Sequence, residues 1–416
     1  MLRSRFLKLP GRVGVVLVLM HFCSTISTAQ VTFDFTRVAD TSTVSPNDGQ
    51  LFQSLGAAVI DGDRIAFNGS TSANNGIFTS LIGGTVQTVI DENNLFFSPG
   101  ASFGRPSISG DEVAFFVNIP GPGAAPPGIF VQDISTNNLR SIATTNTQFP
   151  GSATTFTRFS GPLIDNGVVA FTGSNSFAPF LDTVFVDNGS GLTTVVDVGN
   201  FNVSSGANIS TSGVIGFAID GNDLYFSTIT DRGLYVARDD GSIDAVVSGA
   251  NATIPLFSQI FGLSASNGNI AFDAGNSGIG QIVDGLLSLP VTGNTPIPNT
   301  NDTFALLEEI ALDGEDIAFF ATNNFTTGNV AGLYTLIDGE ISTLLQENDL
   351  LDGQVVSDFS LNSESFSDGQ IVFNVDFADG SEAIYLATVS IPEPTGLIPV
   401  ALCLLPCLAR RYRKSV

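Results

Sequence analysis

A short phrase returns seven times along the chain, and its spacing limits the fold more than any other feature. It ends at Phe67, Phe115, Phe171, Phe226, Phe272, Phe319 and Phe373. Each copy opens on a turn of Asp, Asn, Ser and Gly and closes on an apolar run. Examples are Asp313-Gly314-Glu315-Asp316-Ile317-Ala318-Phe319 and Asp165-Asn166-Gly167-Val168-Val169-Ala170-Phe171. The intervals run from 46 to 56 residues with a mean of 51. A second β-type run follows in every copy, as at Gly76-Ile77-Phe78, Gly128-Ile129-Phe130, Gly280-Gln281-Ile282 and Gly332-Leu333-Tyr334. Six copies then add a Gly/Asn/Asp turn and a third, alternating run such as Ile243–Val247. Runs upstream of the phrase, such as 103–108 and 159–164, supply a fourth strand. Short strands joined by Asp-Gly and Asn-Gly are hairpins, because those residues take the positive φ that tight hairpin turns require.

Four antiparallel strands in about 50 residues predict the blade of a β-propeller. A sandwich domain needs about 100 residues, twice this period, and solenoid coils are shorter, about 20 to 30 residues. The seventh copy stops at Ala387-Thr388-Val389-Ser390 without its last strand, and the body starts with an orphan strand, Val31–Val38. Residues 31–67 and 374–390 together come to 54, one repeat length. The expectation is therefore an all-β, seven-bladed propeller spanning 30–390, closed by pairing Val31–Val38 with Ile384–Val389. An open arc would leave an unpaired sheet edge. The 34 Phe fit blade faces that bury aromatics between neighbouring sheets.

The two ends read as addresses. Arg3 to Arg12, the apolar run Val13–Met20 and the small residues Ser27-Thr28-Ala29 have the order of a secretory signal over 1–29, cut after Ala29. At 391–416 the chain runs Ile391-Pro392-Glu393-Pro394-Thr395, an apolar stretch to Ala409, then Arg410-Arg411-Tyr412-Arg413-Lys414. The basic cluster belongs on the cytoplasmic side. This tail resembles the PEP-CTERM sorting signal of bacterial surface proteins. The resemblance implies export through the inner membrane and processing by a sortase-like membrane enzyme, the exosortase, with Pro392, Glu393, Pro394, Arg410 and Arg411 as sorting residues. It also implies a destination at the cell surface or in the extracellular matrix, with membrane contact only through the tail. The repeats resemble bacterial tandem-repeat proteins named for an Asn-x-x-Gly-x-x-Ala-Phe phrase. Copies three and five match best, at Asn166–Phe171 and Asn267–Phe272. That resemblance implies architecture and setting and carries no chemistry.

Composition narrows the chemistry. The formal charge is −25, and between the two ends only seven basic residues, all Arg, face 39 carboxylates. Such a surface repels phosphate backbones, so no nucleic-acid partner is expected. The single His is His21 and the three Cys are Cys23, Cys403 and Cys407, all near the termini. The body therefore lacks the groups for Ser-His-Asp or Cys-His catalysis, thiolate or imidazole zinc sites and disulfides. Carboxylate, amide, hydroxyl, Tyr and Arg remain.

Three site readings follow. The Asp-Gly clusters place Asp61 and Asp63, Asp220 and Asp223, and Asp313 and Asp316 where calcium would find several oxygens. The same residues are what a hairpin turn requires, and no EF-hand spacing follows, so no cofactor is expected and calcium is the alternative. An Asn follows each of six outer runs, at Asn93, Asn146, Asn200, Asn251, Asn294 and Asn348. These amides, with Phe- and Pro-rich loops, suit contact with an extracellular polysaccharide or surface protein, or merely serve turns. The function expected is a non-catalytic binding or matrix-interaction module. The alternatives are a carboxylate-dependent glycosidase or polysaccharide lyase on the same fold, or a purely structural envelope protein. Two carboxyls sharing a concave pocket with displaced pKa values would favour the enzyme.

Overall fold

The computed structural model describes residues 31–391, apart from 95, 98–99, 120–125, 177–182, 197–198, 212, 229–232, 248–259 and 324–330. The terminal address segments, with Ala29, Pro392, Glu393, Pro394, Arg410 and Arg411, lie outside the described residues, as does Asn251. Residues 33–388 form one compact unit, and the remaining terminal residues are grouped apart from it. Among the described residues there are only strands and one three-residue helical turn, Gly275–Ser277. No helix among them is long and apolar enough to cross a membrane.

The strands form seven blades. The first contains Ser54–Asp61, Arg64–Ser70, Asn75–Leu81 and Gln87–Asp91, hydrogen-bonded in that order from the inner to the outer strand. The fourth, fifth and sixth blades repeat it, starting from Val214–Asp220, Phe261–Ser266 and Phe304–Asp313. In the second and third blades the inner strand is split, into Ser102–Phe103 with Ser107–Ser109 and Arg158–Phe159 with Leu163–Asp165. Pro106 and Pro162 fall in the two gaps. Proline has no N–H to give the ladder. The seventh blade is composite: Phe366–Ser367, Gln354–Ser360, Gln370–Phe377 and Glu382–Ser390 are completed by Thr32–Asp40 as the outer strand. The closure expected from the orphan strand is thus present. A small hairpin, Gly199–Asn202 with Asn208–Thr211, is inserted before the fourth blade.

The inner strands make a closed circuit, each touching the next from the first blade to the seventh and back. The chain is a seven-bladed β-propeller. Its blades share one register. The phrase-ending Phe of the second strand pairs across the ladder with an aromatic of the third: Phe67 with Phe78, Phe115 with Phe130, Phe171 with Phe185, Phe226 with Tyr235, Phe319 with Tyr334 and Phe373 with Tyr385. The rings of these pairs stack with centroids 5.5–6.3 Å apart, the offset geometry that aromatic quadrupoles favour. In the fifth blade Gly280 stands opposite Phe272. A Cβ there would lie 2.3 Å from the Phe272 ring, so the glycine makes room for the ring to cover its backbone.

Outside the sheet ladder, the closing strand is held by Arg37. Its guanidinium donates to the Tyr385 hydroxyl at 3.0 Å and to Asp40 and Asp352 at 2.8 Å each. Phe35 adds an edge contact to Phe373 at 6.2 Å.

Candidate functional site

The site is built around the axis, where the inner strands converge. At one end of each inner strand lies the Asp-Gly or Asn-Gly hairpin, and the seven hairpins are bonded into a ring. The last inner-strand side chain of each blade accepts a backbone N–H from the next hairpin. Asp61 accepts from Gly110 at 2.6 Å, Ser109 from Asn166 at 3.0 Å, and Asp165 from Gly221 at 2.5 Å. Asp220 accepts from Gly268 at 2.5 Å, Ser266 from Gly314 at 3.0 Å, Asp313 from Gly369 at 2.8 Å, and Ser367 from Gly62 at 3.1 Å. The circuit closes on itself. Hydrogen bonds to a charged acceptor are stronger than neutral ones, so four of the seven joints are of the strong kind.

The ring surrounds a narrow cavity of about 170 Å³ with walls from all seven blades. Its acidic lining is Asp61, Asp165, Asp220, Asp313 and, further in, Glu364. Burial raises the pKa of Asp165, and the charges of Asp220 and Asp61 add to the effect against the Gly221 N–H. Glu364 is driven up to about 7, first by burial; the Arg105 charge and the Ser107 hydroxyl oppose this. One Glu364 oxygen accepts from Ser107 Oγ, and the other lies 3.5 Å from the Arg105 guanidinium.

Beyond Arg105, at the starting ends of the inner strands, the axis opens into a funnel of about 570 Å³. Arg105, Phe217, Glu309 and Asn362 are among its walls, with the backbone of Gly161, Gly216 and Gly262. A second cavity of about 490 Å³ lies over the fifth and sixth blades, walled by Asp273, Glu308 and Glu309 and by four glycines. Gly262 and Glu309 wall both, so the two cavities adjoin in one groove. Antiparallel pairing places Asp273 here: it ends the second strand, Asn269–Asp273, beside the start of the inner strand. Burial pushes the Asp273 carboxyl up to about 6; the Gly275 N–H opposes this and the Glu308 charge adds to it. Glu309 sits at a bulge between Glu308 and Ile310 with φ at 47°. Non-glycine residues rarely hold that conformation, and bulges of this kind re-aim a side chain. Its carboxyl accepts the Leu361 N–H at 2.8 Å, and burial raises its pKa.

The residues singled out from the sequence fall in different places. Asp61, Asp220 and Asp313 reach the axial cavity as acceptors of the hairpin ring. Their partners in the phrase point elsewhere: Asp63 is exposed, Asp223 pairs with Arg238, and Asp316 accepts the Asp338 N–H at 3.0 Å. Among the described residues no three His, Cys, Asp or Glu side chains are grouped to hold a metal ion. Asn93, Asn146, Asn294 and Asn348 are exposed where the outer strands end. They serve a turn: the N–H of Asn93 is taken by Asp91, that of Asn146 by Thr144 and that of Asn294 by Thr292, while Asn348 has φ at 69°. Asn200 lies in the inserted hairpin, opposite Ser210. Among the described side chains, Asn93, Asn146, Asn294 and Asn348 line neither the axial cavity, the funnel nor the adjoining cleft. The groove residues Arg105, Asp273, Glu308 and Glu309 stand outside the repeat turns, and that departure was the one sequence signal for them.

No family model and no curated protein matches the chain. Among solved structures it is similar to the β-propeller domain of the Trilobed protease from Pyrococcus furiosus, at 10% identity and a TM-score of 0.51, covering 84% of this chain and 99% of that one. That domain is described as having an open velcro topology, whereas here the N-terminal strand closes the ring. A virginiamycin B lyase from Staphylococcus aureus matches at 15% identity and a TM-score of 0.42, over 86% of this chain and 99% of that one. At these identities the likeness concerns the fold alone.

Proposed function

We propose that this propeller is an exported, surface-sorted binding module that holds a glycan chain in the groove running from the axial funnel over the fifth and sixth blades. The observation that carries the reading is the groove itself. It is open, walled by glycine backbone, apolar side chains such as Ile215, Leu306 and Leu361 and a few polar ones, with the half-buried Phe217 as an aromatic surface for a sugar ring. Among the described side chains, Asn93, Asn146, Asn294 and Asn348 do not wall it. Export and sorting rest on the leader and on the Pro392-Glu393-Pro394 tail, with an exosortase-type enzyme as the partner of that tail. A glycan array probed with the full-length protein, with and without calcium, tests the reading. Binding that survives chelation and weakens in Phe217→Leu supports it; no binding under either condition leaves a purely structural envelope role.

A second reading has its own observation. Asp273, its carboxyl pushed up to about 6 by burial, shares a cleft with Glu308, and two carboxyl groups facing one cleft are the equipment of glycoside hydrolysis. In that reaction Asp273 would give its proton to the leaving glycosidic oxygen while Glu308 assists attack by water. Release of reducing ends from glycans that bind, abolished in both Asp273→Asn and Glu308→Gln, supports catalysis; unchanged glycans after prolonged incubation exclude it.

A further inference from the structure

Arg105 stands apart from the other described arginines of known pairing. Arg37, Arg64 and Arg140 each hold a carboxylate at 2.8–3.2 Å, and Arg238 holds Asp223 in close contact. Arg105 reaches Glu364 and Ser363 Oγ only at 3.5 Å each, with 37% of its side chain exposed. A guanidinium carries five donors in a rigid fork that matches a carboxylate in bidentate fashion, so most of this capacity is unspent. The position is specific as well. Arg105 walls the funnel but not the acidic axial cavity, and Glu364 walls that cavity but not the funnel. The cation thus lies between the funnel and the carboxylates of the axial cavity, while Glu309, the carboxylate in the funnel wall itself, is tied to the Leu361 N–H. Phe217, from the fourth blade, walls the same funnel.

From this arrangement we infer that the groove selects an acidic polysaccharide, with Arg105 taking the carboxylate of a uronic acid residue whose ring lies toward Phe217. The inference rests on the glycan-binding reading and adds the ligand's charge. The body as a whole is strongly anionic, so long-range attraction does not bring the chain in. Recognition is local, through one bidentate contact on sugars otherwise read by shape.

The test is calorimetric titration of the full-length protein with oligogalacturonate, its methyl ester and a neutral galacto-oligosaccharide. The wild type is expected to bind the uronate at least about tenfold more tightly than the ester. Arg105→Gln should abolish that preference, so that uronate and ester bind equally well. Arg105→Lys should retain part of it, since charge remains and the fork is lost. Arg105→Gln leaves Glu364 without its cation, so the double variant Arg105→Gln/Glu364→Gln keeps the test valid if the single variant fails to fold. Neutral-sugar binding with no preference for the uronate, or a preference that survives Arg105→Gln, overturns this inference while the groove reading stands. Failure of all three oligosaccharides to bind overturns both.

Discussion

Replacing Glu364 with Gln should stabilise the protein, and by an amount that depends on pH. The carboxyl lies in the axial cavity, 20% exposed, with a folded pKa near 7 against an ordinary 4.5. Between those values the folded state holds a proton that the unfolded state has released, so stability falls as pH rises and levels off above about 7. The displacement corresponds to about 3 kcal/mol when each decade counts about 1.4 kcal/mol. Glutamine has nearly the same shape, can still meet the Ser107 hydroxyl and does not ionise. Urea unfolding followed by circular dichroism should therefore give variant and wild type within about 1 kcal/mol at pH 5, and the variant ahead by about 3 kcal/mol at pH 8. Many other carboxyls titrate in this range, but they are common to both proteins and cancel in the difference. A gap that stays constant from pH 5 to 8, or a variant weaker at pH 8, would refute the argument that burial on the axis governs this group.

Three further outcomes follow from the blades. Phe171→Ala removes a fully buried ring that stacks on Phe185 and should cost about 3–5 kcal/mol in chemical denaturation; a loss below 1 kcal/mol would mean the stacked pairs do not hold the blades. Gly128→Ala places a Cβ 2.2 Å from the Ala143 carbonyl oxygen. It should lower stability by about 1–3 kcal/mol, measured as a drop in melting temperature. Arg37→Ala, which loses partly exposed contacts to Asp40, Asp352 and Tyr385, should cost only about 1 kcal/mol. It should nevertheless speed amide hydrogen exchange selectively in Phe33–Asp40, and uniform exchange across all blades would contradict a local clasp.

The ring was legible because its signals are local and periodic. Asp-Gly and Asn-Gly turns mark every hairpin, and the surplus strand Val31–Val38 matched the deficit after Ser390. The splitting of two inner strands was signalled by Pro106 and Pro162 but hidden inside apolar runs. The groove was not legible. Arg105, Asp273 and Glu309 come from the second, fifth and sixth blades, and only closure brings them to one face. Asp61, Asp220 and Asp313 were recognised as turn residues, yet their acceptor role depends on which hairpin lies next door, information that no local pattern contains. The outer-run Asn were conspicuous because turns need them, and the same periodicity that exposed them keeps them from gathering at one locus.

The joint in the seventh blade has a temporal side. Thr32–Asp40 leaves the ribosome before every other strand of the body, while its partner Glu382–Ser390 leaves last. For the whole of synthesis that segment has no ladder to join, and the longest loop in the molecule must be drawn shut before it does. Closure thus waits on the final strand: a chain truncated in its last blade would carry six finished sheets and leave Thr32–Asp40 as an unpaired edge.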